Sequence, residues 1–396
     1  MQIAMNPQPT VPIPGAEILK SRNGSLPHDS EDKTLPLDSP QSLSAEQMLY
    51  RLARFFRRYL HCAPEQLAVL SLWTVHTHCF SAARTTPYLH IGSREKQSGK
   101  TICLELLSLV SANPWYATGI SARALLRHIG RAKSTVLLDE CQTIFGASDR
   151  KVRGVLVSGC KRGGNYDVSP QGPVDVFCPK VFAGMSVLPP AVADRSLPIL
   201  LRAQKPDGTT LRFIIEQARE EAAPLVAWLK QWAAQNLADI GNIVPCTRDQ
   251  MPGELNARQQ DCIEPLLHIA NLIGGQVPKQ ARDALVEVFR HGSTHGCFVH
   301  LLSDVRDAFE KVGLDYRIPT SVLLHFLNSL ESRPWRTWHD GQPMTPTDLA
   351  RILRPLGINS GNIRITRQVV VKGYCRRDLV PLWQHYFGEK IPEVCK

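Results

Sequence analysis

Nine consecutive residues in the N-terminal half of the chain have the composition of a phosphate-binding loop. They are Ser93-Arg-Glu-Lys-Gln-Ser-Gly-Lys-Thr101, and they stand between a strand-like apolar run and a helical pattern. Backbone N–H groups of such a loop and of the helix that follows it surround a β-phosphate. The pattern predicts a nucleotide-binding site made by the last four residues, Ser98, Gly99, Lys100 and Thr101. Lys100 would reach the β- and γ-phosphates, and Thr101 would bind Mg²⁺. The loop departs from the full pattern at Arg94, which stands where the first glycine is expected.

A pair of carboxylates follows a second apolar run. Leu137-Leu-Asp-Glu140 ends a β-branched and aliphatic stretch, which is typical of a strand that stops at the carboxyl edge of a parallel sheet. There Asp139 would hold Mg²⁺, and Glu140 would orient and polarise the attacking water. Taken alone, the pair fits the acidic N-cap of a helix better. Together with the phosphate loop, and in this order, it predicts an ATP site in which Lys100 and Glu140 are catalytic.

The elements that must position these residues follow from the hydrophobic pattern. Apolar strands alternate with helices over residues 44–205, which predicts an α/β P-loop NTPase core with a mostly parallel sheet. Residues 206–294 are almost wholly helical and are predicted to form a helical lid. Residues 295–396 combine helices with a hairpin and are predicted to form a basic winged-helix-like domain. Residues 1–43 are rich in proline and serine and are predicted to be disordered. The predicted strands are 88–91, 134–138, 180–184 and 197–201, and the predicted helices around them are 44–60, 64–80, 102–110 and 121–128.

Further sequence stretches beyond the two motifs resemble those of a known family. They are LWTVHTH (72–78), the segments 182–184 and 194–199, LNARQQD (255–261), PLLHIANLIGG (265–275), RPW (333–335), LARILRPLG (349–357) and KGY (372–374). With the two motifs, they resemble a family of P-loop ATPase domains from phages, plasmids and integrated elements, over about residues 45–390. Members are often classified only as a domain of unknown function, are frequently fused to or encoded near primase-polymerase modules, and are similar to AAA+ and superfamily 3 helicase-type ATPases. Their phosphate loops commonly lack the first glycine. The resemblance implies a DNA-associated AAA+-like ATPase.

Three further residues take ATPase roles by their positions in such a chain. Ser186 follows the strand 180–184 and is either a polar sensor beside the γ-phosphate or a turn serine. Arg195 resembles the arginine that AAA+ proteins offer to the γ-phosphate of a neighbouring subunit, which implies a ring or other homo-oligomer; the alternative is an ion pair with Asp194 or another acid. Arg258 stands where AAA+ lids place a second sensor arginine, and the alternative is a surface or structural arginine.

The C-terminal region carries a concentration of positive charge. Between positions 333 and 377 there are nine basic residues and two acidic ones. A capped helix from Thr345 followed by a hairpin matches a winged-helix module that binds duplex or forked DNA largely through phosphates. The alternative is a small protein-contact domain with a solvated basic face. The predicted DNA contacts are Arg351, Arg354, Arg364, Arg367, Lys372 and Arg376.

Composition limits the class of protein. The chain has 396 residues and a net charge of +10, which permits a polyanionic partner. Its 11 cysteines form no C-x-x-C pair, which indicates reduced thiols in a cytosol. Apolar runs are too short for a membrane span, and the N-terminus lacks the layout of a secretion signal. We therefore expect a cytoplasmic protein with no membrane partner.

The expected function is hydrolysis of ATP, with Mg²⁺, by a DNA-dependent ATPase: a helicase or DNA-remodelling motor in the replication of a mobile element. Single-stranded or forked DNA, further copies of the chain and a separate primase-polymerase are the expected partners. One alternative is an ATP-controlled DNA-binding switch with little or no turnover, which the incomplete phosphate loop would allow. The other is a P-loop kinase acting on a small acceptor, which the helical region and the basic C-terminus disfavour.

Overall fold

An α/β body followed by a C-terminal module makes up the computed structural model. The structure describes residues 44–93, 98–129, 133–141, 150–167, 172–184, 188–202, 210–242, 244, 246–247, 250–312, 316–331, 333–338, 342–365 and 369–387. The helices are α1 (Ala45–Tyr59), α2 (Pro64–Cys79), α3 (Lys100–Val110), α4 (Ala122–Ile129), α5 (Arg150–Ser158), α6 (Pro190–Ala193), α7 (Ile215–Asn242), α8 (Ala257–Ile273), α9 (Val277–Lys311), α10 (Thr320–Asn328), α11 (Pro346–Leu353) and α12 (Arg376–Phe387). The strands are β1 (Tyr88–Ser93), β2 (Pro114–Thr118), β3 (Thr135–Asp139), β4 (Asn165–Asp167), β5 (Pro173–Asp175), β6 (Lys180–Ala183), β7 (Ser196–Leu201), β8 (Arg317–Pro319), β9 (Gly361–Arg364) and β10 (Val370–Cys375).

Five parallel strands form the sheet of the α/β body, in the order β2-β3-β6-β1-β7. The three central strands are buried along almost their whole length, as expected for strands covered on both faces. These three and β7 are the four predicted strands, so the mostly parallel α/β sheet is confirmed. The prediction missed β2, because this edge strand alternates between exposed and half-buried residues and lacks a continuous apolar run.

Helices cover both faces of the sheet. Because side chains alternate along each strand, one strand contributes to two hydrophobic clusters, one on each face. Leu89 and Ile91 of β1 belong to one hydrophobic cluster, with α1, α2, α3, α7, α8 and the first part of α9. Tyr88 of the same strand belongs to a second cluster, with α4 and α5. The helical lid at 206–294 stays a prediction. The helices of this region share the core of the α/β body, because they bury apolar side chains such as Trp228 and Leu285 against the N-terminal helices.

The C-terminal module has a hydrophobic core of its own, which begins at Phe298 in the second half of α9. After α9 come β8, α10, α11, the hairpin β9–β10 and α12, and the three strands form an antiparallel sheet in the order β8-β10-β9. The predicted hairpin is confirmed. The predicted boundary between residues 294 and 295 falls inside α9, which continues without a break from Val277 to Lys311, so one helix contributes to both cores.

Some predictions concern residues outside the described ranges, namely the N-terminal segment 1–43, Ser186 and Arg367. Each of the nine cysteines that the structure describes is a free thiol, as their scattered spacing predicts. Among the described residues, no helix combines the length and the apolar character needed to cross a membrane.

Candidate active site

The carboxyl edge of the sheet carries the start of the phosphate loop and the helix that follows it. β1 ends at Ser93, and α3 begins at Lys100 with Gly99 as its N-cap. Gly99 has φ +84° and ψ 20°, a left-handed conformation that an L side chain adopts only at a cost in free energy. This turn directs the first backbone N–H groups of α3 towards the same edge, where the helix dipole favours an anion.

Two serine hydroxyls accept hydrogen bonds from Lys100, the first residue of α3. Its ammonium Nζ donates hydrogen bonds to Ser93 Oγ at 2.7 Å and to Ser98 Oγ at 3.4 Å. Both serines are buried, whereas the lysine is half-buried. Burial lowers the pKa of Lys100, and the charge of Asp139 opposes that shift. The ammonium is thus a partly desolvated cation at the mouth of the loop, where a phosphate charge would be strongly attracted.

The predicted metal ligands Thr101 and Asp139 contact each other. Thr101 Oγ1 donates a hydrogen bond to Asp139 Oδ2 at 3.0 Å, although 38 residues separate them in sequence. The contact arises because α3 packs against the sheet and β3 ends at the same edge as β1. A hydroxyl and a carboxylate are hard oxygen donors, the type of ligand that Mg²⁺ prefers, so the residues present fit this ion.

Two side chains that the sequence reasoning missed also face Asp139. Tyr116 on β2 donates its hydroxyl hydrogen to Asp139 Oδ2 at 3.1 Å. Burial and then the charge of Asp139 raise the pKa of Tyr116 to about 12, so its hydroxyl stays a donor at neutral pH. Burial and the same carboxylate raise the pKa of Glu105 on α3. Tyr116 could have been found only from the strand order, since β2 pairs with β3 in parallel register.

Glu140 occupies a strained position directly after β3. Its φ is +51°, in the left-handed region, which non-glycine residues rarely adopt. Its backbone N–H donates to Asp139 Oδ1 at 2.9 Å, and its side chain is exposed at the carboxyl edge. Strained backbone of this kind is found preferentially at functional sites, where it aims a side chain. The geometry therefore brings Lys100, Thr101, Asp139 and Glu140 to one edge.

Arg195 and Arg258 lie at the opposite, amino edge of the sheet. Arg195 directly precedes β7, and its carbonyl oxygen accepts a hydrogen bond from the backbone N–H of Tyr88, the first residue of β1. Since β1 rises by about 3.3 Å per residue, roughly 17 Å of sheet separates this edge from the phosphate loop. The role of Arg258 as a second sensor arginine stays a prediction. Its Nη1 donates to Asp194 Oδ2 at 2.7 Å.

Arg195 is hydrogen-bonded to neighbouring groups and also lines a small pocket. Its Nη1 donates to the carbonyl oxygen of Ala191 at 2.6 Å and its Nε to Cys160 Sγ at 3.2 Å, and Asp194 pairs with Arg258 instead. Both arginines line a pocket together with Lys161. Three cationic side chains thus meet at the amino edge of the α/β body.

The predicted DNA-contacting residues of the C-terminal module separate into two groups. Arg351, Arg354, Arg364 and Lys372 are exposed. Arg364 and Lys372 lie on the same face of the hairpin, opposite the buried Ile363, because Arg364 pairs with Val370. Arg376 is instead half-buried at the end of β10 away from the hairpin tip, with its guanidinium 5.9 Å from the centroid of the Trp383 ring. Contact of Arg376 with DNA stays a prediction, as it does for the other four residues.

Comparison with known proteins gives a family match over the C-terminal half, one curated relative and two solved structures. Residues 200–386 match the family model described as "Protein of unknown function (DUF3631)", in agreement with the predicted resemblance to a domain of unknown function. The "Uncharacterized 28.9 kDa protein in xis 5'region" of Saccharopolyspora erythraea is 28% identical over 189 residues, which are 47% of this chain and 68% of that protein. Two apo A-form structures of the NrS-1 C-terminal region are also similar, and each match covers 83% of this chain and 74% of the solved chain. Their TM-scores are 0.33 and 0.28, and their sequence identities to this chain are 9% and 12%. The phosphate loop lies outside the family match.

Proposed function

We propose that the chain is a P-loop ATPase that hydrolyses ATP to ADP and inorganic phosphate. The observation that carries the proposal is the contact of Thr101 with Asp139, beside Lys100 and the N-terminus of α3. Two motifs that lie far apart in sequence thus meet at one edge of the sheet, which supports a role in phosphoryl transfer. The missing first glycine at Arg94 leaves Gly99, the residue with the left-handed turn, in place.

In this reaction the chain supplies binding charge and one base. Backbone N–H groups of α3 and the Lys100 ammonium bind the β- and γ-phosphates. The Glu140 carboxylate accepts a hydrogen bond from a water molecule whose oxygen attacks the γ-phosphorus. The bond from that phosphorus to the β–γ bridging oxygen breaks, ADP keeps the electron pair, and the water proton passes through Glu140 to solvent. Mg²⁺ held by Thr101 and Asp139 would neutralise charge on the phosphate oxygens.

The test is steady-state ATP hydrolysis by the full chain, with and without single-stranded and forked DNA. We expect Lys100→Ala to lose nucleotide binding and turnover, and Glu140→Gln to bind ATP but lose turnover by at least about a hundredfold. Lys133→Ala is the matched lysine control, because Lys133 precedes β3 at the amino edge and pairs there with Asp175. The proposal is refuted if wild-type protein binds no nucleotide, or if Lys100→Ala hydrolyses ATP at the wild-type rate.

The amino-edge arginines support a site shared between copies of the chain. Arg195 and Arg258 cannot reach the phosphate loop of their own sheet, so any role at a γ-phosphate requires a neighbouring copy. We expect Lys100→Ala and Arg195→Ala to be inactive separately and to regain ATPase activity when mixed, because mixing pairs an intact loop with an intact arginine. An active Arg195→Ala protein, or mixtures that stay inactive, would contradict the shared site.

DNA is the proposed regulator of this turnover, and replication of a mobile element is the proposed setting. The exposed basic residues of the C-terminal module and its order of one helix, a strand, two helices and a hairpin support DNA binding. The family match and the relative near xis fit the predicted mobile-element family. Stimulation of hydrolysis by DNA, lost in Glu140→Gln, supports a motor. ATP and DNA binding without turnover supports instead the ATP-controlled switch.

A further inference from the structure

Three side chains of different chemistry converge outside the proposed ATP site. Cys246 lies in the connection between α7 and α8, and Glu264 and His268 lie on α8. The two α8 residues are four positions apart and therefore share one face of the helix. Their carboxylate oxygen and imidazole nitrogen and the cysteine sulfur all lie within 4.8 Å of one another.

The separations between these atoms are close to those of a tetrahedral zinc site. Cys246 Sγ is 3.4 Å from His268 Nε2, and His268 Nε2 is 3.9 Å from Glu264 Oε1. With Zn–S bonds of about 2.3 Å and Zn–N and Zn–O bonds of about 2.0–2.1 Å, tetrahedral angles place such ligand atoms roughly 3.3–3.6 Å apart. The two distances that involve His268 therefore differ from these values by no more than about half an ångström.

We propose that Cys246, Glu264 and His268 bind one Zn²⁺ ion, with a water molecule as the fourth ligand. A thiolate and an imidazole select a borderline-soft ion over Mg²⁺, so this site differs in its metal from the oxygen-only pair Thr101 and Asp139. The side chains of Glu264 and His268 are 17% and 14% exposed, which leaves room for an ion and a water molecule to enter from solvent.

Contacts of Cys246 connect its segment to α8. The backbone N–H of Cys246 donates to Glu264 Oε1 at 2.9 Å. Burial and the charge of Glu264 raise the pKa of the Cys246 thiol, and the charge of Arg282 on α9 opposes that shift, so the ion has to displace the thiol proton. Binding of Zn²⁺ releases the thiol proton to solvent and balances the charges of thiolate and carboxylate. The ion would fasten the segment between α7 and α8 to the helical layer.

Cobalt(II) serves as the probe, because thiolate-bound Co²⁺ absorbs in the near ultraviolet and tetrahedral Co²⁺ absorbs in the visible. Chelator-treated full-length protein is titrated with Co²⁺ in excess Mg²⁺ and ATP, so that oxygen-only sites are occupied. We expect both absorptions to saturate at one Co²⁺ per chain and to be bleached by one equivalent of Zn²⁺. Cys246→Ser should lose the near-ultraviolet absorption, and His268→Gln should weaken Co²⁺ binding at least tenfold.

Cys375→Ser is the matched control, because Cys375 is also a half-buried free thiol but lies in the C-terminal module. It should leave the titration unchanged. Far-ultraviolet circular dichroism shows whether Cys246→Ser and His268→Gln keep the wild-type fold. The test needs only one of these two variants to be folded. The zinc site is refuted if the wild-type protein shows no thiolate absorption at one equivalent. It is equally refuted if a folded Cys246→Ser protein retains that absorption. Neither result bears on ATP hydrolysis, which is measured with the Lys100 and Glu140 variants.

Discussion

The left-handed backbone of Glu140 predicts an inverted order of stability for two simple substitutions. At an ordinary position Gly is less stable than Ala by about 0.4–1 kcal/mol, because it adds entropy to the unfolded chain. At φ +51° an L side chain costs roughly 1–2 kcal/mol, and Gly avoids that cost. Glu140→Gly should therefore be more stable than Glu140→Ala by about 0.5–1 kcal/mol. Both substitutions remove the same carboxylate, so its loss cancels in the comparison.

Urea unfolding of the full chain, followed by circular dichroism, measures the difference. With an m-value of about 3 kcal/mol/M, the Gly variant should unfold at a midpoint roughly 0.2–0.3 M higher than the Ala variant. Glu220 provides the control, since it is exposed inside the helix α7, where Ala should be more stable than Gly by about 1 kcal/mol. If Ala is the more stable residue at both positions, the strain at Glu140 is absent and its role in aiming the carboxylate is refuted.

Three other predictions concern the site, the basic surface and the core. Tyr116→Phe removes a hydrogen bond to Asp139. It should raise the Mg²⁺ concentration needed for half-maximal hydrolysis several-fold and leave kcat nearly unchanged. An unchanged Mg²⁺ dependence would contradict the contact. Arg351→Ala should lower the slope of log affinity for DNA against log salt concentration by about one, as fluorescence anisotropy would show, whereas a phosphate-independent role would leave the slope unaltered. Burial lowers the pKa of His76 to about 3, so the folded protein keeps this ring neutral while the unfolded chain protonates it. Its contribution to stability is complete above pH 6.5 and falls by about 1.4 kcal/mol per unit as the pH drops towards 3. The unfolding free energy of His76→Gln should consequently vary less with pH, and an identical profile for the two proteins would refute this account.

The elements of the fold that could be predicted are those with strong local signals. β1, β3, β6 and β7 are continuous apolar runs, and α1 begins at the capping box formed by Ser44 and Gln47, so pattern alone located them. The hydrophobic pattern could not show where the helices of the predicted lid region pack. Helical periodicity shows that a helix buries one face, but it does not show which surface covers that face. Here the covering surface is α2, which is buried on all sides.

In the candidate site, too, some residues could be predicted from the local sequence and others only from the tertiary structure. The predicted roles of Lys100, Thr101 and Asp139 came from residue types at fixed spacing. In the structure Thr101 donates a hydrogen bond to Asp139, and Lys100 donates to Ser93 at the same edge of the sheet. Tyr116 and the trio at Cys246 have no such local signal. Tyr116 depends on the placement of an edge strand beside β3, and Cys246 depends on how the segment after α7 folds onto α8.

The placement of Arg195 could have been deduced from chain direction without any coordinates. In a parallel sheet, residues that follow a strand lie at the carboxyl edge and residues that precede one lie at the amino edge. Lys100 follows β1 and Asp139 ends β3, whereas Arg195 directly precedes β7. A single chain therefore cannot apply Arg195 to a phosphate bound by its own Lys100, if Lys100 binds one as proposed. The partner of Arg258 is Asp194, next to Arg195, so both arginines belong to the same edge. Catalysis that uses either arginine thus requires a second copy, and the mixing experiment with Lys100→Ala and Arg195→Ala tests the sheet topology and the proposed assembly together.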